Sequence, residues 1–102
     1  MVTAEISLYP VGTDSPSLSF YIARSIESIS DLGVKHQTTA MGTILESDDL
    51  QKIFDATKTM TDTIHRLGVK RIEVILKIDS RTDKIQTADE KLKSLNKYLK
   101  GS

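Results

Sequence analysis

The sequence contains no cysteine, which excludes a disulfide framework, a thiolate metal site and a cysteine nucleophile. It has no net charge, because 14 basic residues balance 14 acidic ones. The whole-protein field therefore gives no reason to expect nucleic acid or an anionic membrane as a partner. No run of about 20 apolar residues occurs, and Met1-Val2-Thr3-Ala4-Glu5 lacks the basic start and apolar stretch of a secretory signal. A soluble, unexported, cytoplasmic protein is expected. Missing as well are Gly-x-Gly-x-x-Gly, Gly-Lys-Ser/Thr and a nucleophile elbow, and neither His36 nor His65 has a second ligand at metal spacing. No cofactor and no metal are called for, and an enzyme is not expected.

What is present fits one domain of 102 residues, large enough to bury about 60–70% of its unfolded surface. Leu32-Gly33-Val34-Lys35 recurs 35 positions later as Leu67-Gly68-Val69-Lys70, so the chain has two related halves. Ahead of the first copy, Leu18, Ile22, Ile26 and Ile29 keep helical spacing; ahead of the second, Leu50, Ile53, Phe54, Met60 and Ile64 do. Each glycine suits the left-handed residue that ends a helix. Thr3 to Tyr9 alternates Ala4, Ile6 and Leu8 with Glu5, Ser7 and Tyr9, the period of a half-buried strand that should stop at Pro10. Lys35 to Thr39 reads as a hydrophilic edge strand and Met41 to Glu46 as the next, with Gly42 at a bend or close approach. Arg71 to Asp79 is the strongest strand, with Ile72, Val74, Leu76 and Ile78 on one face. Ser15 and Ser47 are the expected N-caps of the two repeat helices, and Thr87 of a last helix carrying Ala88, Leu92, Leu95 and Leu99.

The order β-α-β, β-α-β and a final helix predicts an α+β fold, the ferredoxin-like βαββαβ sandwich: a four-stranded antiparallel sheet with both repeat helices on one face, plus a C-terminal helix. Strands one and three should be central, with the helices over Ile6, Leu8, Val74 and Leu76. The opposite face then carries Glu5, Ser7 and Tyr9 beside Glu73, Ile75 and Lys77, a half-polar surface expected to be covered by a second copy of the chain. Three polar stretches could hold a ligand: Pro10 to Ser17, Met41-Gly42-Thr43, and Lys77 to Lys84. In the predicted fold the first and last lie at opposite ends of strand one, so one subunit keeps them apart.

Four ordered blocks carry a resemblance: Ala4-Glu5; Pro10-x-Gly12-Thr13-x-Ser15-x-Ser17 followed by Tyr21-Ile22-Ala23; Met41-Gly42-Thr43-x-x-Glu46; and Lys77-Ile78-Asp79-x-Arg81-x-Asp83-Lys84. Together they resemble the small ferredoxin-like thiamine-binding proteins related to YkoF, a family formerly uncharacterised. The resemblance implies sheet-to-sheet homodimers that pair into a homotetramer, and binding of thiamine or its hydroxymethylpyrimidine part without catalysis. An aminopyrimidine offers ring acceptors and an amine donor, and the thiazolium is cationic. On that footing Ser7, Thr13, Ser15, Ser17 and Thr43 are expected to supply hydrogen bonds, Tyr9 or Tyr21 a flat apolar surface, and Glu5 or Asp79 a counter-charge. Lys77 and Arg81 suit a phosphate or an intersubunit ion pair. The other readings are a structural interaction module without a small-molecule ligand, and an acylphosphatase-like enzyme, for which Thr13 and Asp14 stand where a phosphate-cradling arginine is wanted.

Overall fold

The computed structural model describes residues 1–83 and 87–99; the Lys84 end of the charged loop lies outside them. Apolar alternation makes the first strand, β1 (Val2–Val11), and burial follows it: Val2, Ala4, Ile6 and Leu8 face the core, while Glu5, Tyr9 and Val11 are exposed on the other side. It is followed by α1 (Ser19–Ser28), β2 (Lys35–Thr38), β3 (Thr43–Ser47), α2 (Leu50–Arg66), β4 (Arg71–Ser80) and α3 (Ala88–Asn96). The sheet order is β2-β3-β1-β4, antiparallel throughout, with β1 and β3 central as expected.

The two neighbours of β1 differ in reach. β4 pairs with it from Val2↔Ser80 to Val11↔Arg71, whereas β3 pairs only from Val2↔Ser47 to Ile6↔Thr43. Past Ile6, β1 has a strand on one side alone. That corrects the expected stop at Pro10: the strand runs through it to Val11, because a residue without an N–H is tolerated where one ladder is missing.

Helix α2 supplies most of the helical share of the core through Ile53, Ala56, Met60 and Ile64, all fully buried at three- and four-residue spacing. They meet Val2, Ala4, Ile6, Leu8 and Leu45 of the central strands, with Ile72, Leu76 and Ile78 of β4 packed at the margin. Helix α1 packs on α2 and adds Ile22 and Ile26 to the same cluster. Its one fully buried residue is Ser25, whose hydroxyl donates to the Ile22 carbonyl at 2.7 Å and so enters the core paired. Val74 departs from expectation. It is 36% exposed, because β4 is an edge strand left uncovered at that point.

Both expected N-caps move. Ser47 ends β3 and accepts from the Asp49 amide at 3.1 Å, while Asp49 caps α2 by accepting from the Gln51 amide at 2.9 Å. Ser15 does not cap α1, which starts at Ser19 after Leu18 with no side-chain cap. Instead the Ser15 hydroxyl accepts from the Ser17 amide at 3.1 Å, and Thr13 donates to the Ser15 carbonyl at 2.9 Å. Local side-chain bonding of this kind competes with a helical first turn and here wins. Gly33 and Gly68 both have positive φ, 69° and 99°. Gly68 directly follows the Leu67 cap of α2, whereas Gly33 closes a turn beyond the Ile29 cap of α1. Strand β3 begins at Thr43 rather than Met41, since Met41 and Gly42 belong to a tight turn closed by the Thr39 amide on the Gly42 carbonyl at 2.9 Å. Thr87 caps α3 as expected, in a capping box with Glu90.

The placement of the core is testable by chemical denaturation. Ile53→Ala, at a fully buried position, should lower stability by about 2–5 kcal/mol, while Val74→Ala should cost less than about 1 kcal/mol; equal losses would put the core elsewhere.

Candidate functional site

The one-sided stretch of β1 opens a cleft. Its walls are β1 from Ile6 to Tyr9, the β2–β3 turn from Thr38 to Thr43, and Ile22 of α1, enclosing about 140 Å³. The turn is fixed to β1 by the Ser7 hydroxyl, which donates to the Met41 carbonyl at 3.1 Å. Thr39 ties the turn to itself: its hydroxyl donates to the Gly42 carbonyl at 2.8 Å and accepts from the Gly42 amide at 3.1 Å. Gly42 is required by proximity rather than by φ, because a Cβ there would lie 3.0 Å from Ser7 Oγ and 3.1 Å from the Ile6 carbonyl oxygen. Thr43 is only 3% exposed and lines the cleft, and its hydroxyl has no hydrogen-bond partner among the described residues. An unpaired hydroxyl on a residue that lines a cleft is available to a ligand. The cleft also has the unpaired edge of β1, where backbone N–H and C=O groups lack a strand partner.

The eleven residues singled out in the sequence fall into separate places. Ser7, Tyr9 and Thr43 share the cleft. Glu5, Lys77 and Asp79 line a depression of about 240 Å³ on the outer face of the sheet, with Glu5 directly opposite Lys77 and Thr3 opposite Asp79. Thr13 and Tyr21 line a groove between the β1–α1 loop and the α2–β4 loop. Ser15 and Ser17 stand apart, engaged with each other in their loop. Arg81 holds Asp83 through Nε and Nη2 at 2.9 and 2.6 Å, which keeps its guanidinium protonated above the usual range. Its backbone exchanges hydrogen bonds with Met1, at 3.0 and 3.1 Å. Arg81 thus sits at the start of β1, about 30 Å of strand from Thr13, and one subunit keeps the two loops apart as the topology required.

Sequence reasoning missed several residues. Lys91 of α3 bonds the Asp79 carboxylate and thereby closes the outer depression. Glu46 is buried against α3: Oε1 accepts from the Ala88 amide at 3.0 Å, and Oε2 has no partner among the described residues. Lys70 and Arg71 join Thr13 and Tyr21 in the groove. The signal for Lys70 was the repeated Leu-Gly-Val-Lys, which places a lysine two residues past each glycine.

The sequence model of the thiamine-binding protein family matches residues 4–96. The UPF0045 protein of Methanothermobacter thermautotrophicus is 36% identical over 99 residues, covering 97% of this chain and 100% of its own. A UPF0045 protein of Methanocaldococcus jannaschii is 40% identical over 94 residues, covering 92% of this chain and 91% of its own. The crystal structure of the latter superposes with a TM-score of 0.84, covering 93% of this chain and 95% of that one. A Thermotoga maritima structure, provisionally assigned to thiamine biosynthesis or salvage, superposes at 0.76 with 29% identity, covering 92% and 97%.

The α3 tether gives a pH prediction. The Lys91 hydrogen bond, aided by the charges of Lys91, Arg81 and Lys77 and opposed by partial desolvation, lowers the Asp79 pKa below its ordinary 3.8. A depressed carboxylate pKa stabilises the fold above the unfolded value, and the contribution is lost as pH falls through the folded one. In an NMR titration Asp79 should ionise below the ordinary carboxylate range, and Lys91→Met should move it up toward that range.

Proposed function

The chain belongs to the thiamine-binding protein family, and on that premise we propose that it binds thiamine or its hydroxymethylpyrimidine part without transforming it, the pyrimidine ring lying in the cleft beside Thr43. The observation that carries this reading is the nearly buried Thr43, its hydroxyl unpaired among the described residues, in a cleft of about 140 Å³. That volume is on the scale of the roughly 150 Å³ cavity that accepts one benzene ring. The cleft therefore matches one ring of the ligand. Leu8, Tyr9 and Ile22 supply apolar wall, while Ser7, Thr43 and the unpaired edge of β1 match the donors and acceptors of an aminopyrimidine. The described residues lining the cleft include no histidine, carboxylate, lysine or arginine, and its one titratable side chain is Tyr9, a lining that favours holding a ligand over reacting with it.

We propose further that the protein is cytoplasmic and works as a homodimer through the outer sheet faces, two dimers forming a homotetramer. Among the described residues no helix is long and apolar enough to cross a membrane. On the outer face Tyr9 and Ile75 are 42% and 62% exposed, amid the opposed charges of Glu5 and Lys77. A two-fold axis sets such a surface against itself, so each carboxylate can meet the other copy's lysine.

Two measurements test these proposals. Isothermal titration should give heat with thiamine and with hydroxymethylpyrimidine, and Thr43→Val should weaken both about 3- to 10-fold, the worth of one hydrogen bond; a folded protein that gives no heat with either is not a thiamine binder. In sedimentation velocity the wild type should run as an oligomer and Ile75→Asp as a smaller species, whereas a wild-type monomer at micromolar concentration rules the assembly out.

A further inference from the structure

A ring in the cleft leaves the remainder of a two-ring ligand outside it, and the cleft has a neighbour. Tyr9 lines the cleft and Val11, two residues on, lines the groove; Ile22 and Tyr21 divide in the same way on α1. The two spaces share no lining residue, but their nearest positions on β1, Tyr9 and Val11, are about 7 Å apart. The groove is larger, about 440 Å³, within the range of ligand sites. Its floor is backbone at two glycines, Gly12 and Gly68, where φ is +81° and +99° and no atom lies within 4 Å of where a Cβ would be.

The charges in the groove are of both signs. Asp14 and Lys70 both line it, yet they do not pair with each other or with any described residue. Arg71 is beside Lys70 and spends one nitrogen on Glu73 at 3.3 Å, leaving further donors. Tyr21 presents an aromatic ring to the same space. A free phosphate is a poor match, since Asp14 would repel it. A ligand with a cationic ring and an anionic tail suits all four: the cation on the Tyr21 face and near Asp14, the anion on Lys70 and Arg71, where a phosphoryl group takes charge-assisted hydrogen bonds.

We propose that this groove is a second subsite, taking the thiazolium and a phosphoryl group, so that the protein selects the phosphate ester of its ligand over the free alcohol. The inference rests on the reading that the pyrimidine occupies the cleft. Isothermal titration with thiamine, thiamine monophosphate and inorganic phosphate, on the wild type, Lys70→Ala and Asp14→Asn, tests it. The monophosphate should bind the wild type at least tenfold more tightly than thiamine. Lys70→Ala should abolish that preference, and Asp14→Asn should weaken thiamine and its monophosphate alike. Equal affinities in the wild type, or a preference that survives Lys70→Ala, overturn the subsite while leaving the cleft reading intact. Binding of inorganic phosphate as tight as the monophosphate overturns it too, by showing a bare anion site. If neither thiamine nor its ester binds, both readings fail together.

Discussion

The unequal pairing of β1 is the constraint on which the rest depends. β4 accompanies it over ten residues and β3 over five, so the second half of β1 has a sheet on one side and open space on the other. A proline can sit in that half without breaking a ladder. The β2–β3 turn can then swing against the free edge, held by the Ser7 hydroxyl on Met41 and admitted by the missing Cβ of Gly42. Were β3 to follow β1 to its end, the edge would be paired and the cleft filled by backbone.

The internal duplication explains why the space lies in the first half. Shifted by the repeat, Leu50, where α2 begins, corresponds to Ser15, yet α1 begins only at Ser19. Residues corresponding to the first turn of α2 are instead a loop, stabilised by Thr13, Ser15 and Ser17 bonding among themselves. The far end is trimmed as well, for α1 stops at Ser28 and reaches Gly33 by a turn. A helix of 10 residues thus stands where its counterpart has 17. Its shortness leaves room for the groove, and the hydroxyl cluster that looked like a ligand wall is largely the means of shortening it.

How much was legible follows from which interactions are local. Alternation in Ala4-Ile6-Leu8 and helical spacing in Ile53-Met60-Ile64 reflect burial repeated along an element, and these gave the fold and the strand order. Thr87 was read correctly as a cap because its partner Glu90 is three residues away. Ser15 and Ser47 were misread because a hydroxyl beside a helix start can serve a turn or a cap with similar energy, and the choice depends on where the helix can pack. Val74 keeps the strand pattern but lies under no helix, a fact of layer geometry rather than of sequence. Of the candidate site residues, Ser7, Tyr9 and Thr43 converge because the hairpin folds onto β1. Asp14 and Lys70, 56 positions apart in the chain, line the same groove without pairing, a placement that no local pattern reveals.

Tyr9 connects the two proposals. It lines the cleft and also stands exposed on the outer face, opposite Glu73 and two residues from Ser7. If copies associate through that face, the same ring is shared between a partner and a ligand, and area that one has removed from water yields no further gain to the other, so the two compete for it. Charge alone would not achieve this, since Glu5 and Lys77 on the same face are solvated and exchange water for each other at little net gain. The coupling would come from apolar area, which is additive only while water can reach it. In a chain that is neutral overall and mixed in charge on its outer face, the aromatic ring of Tyr9 is thereby the apolar area common to assembly and binding.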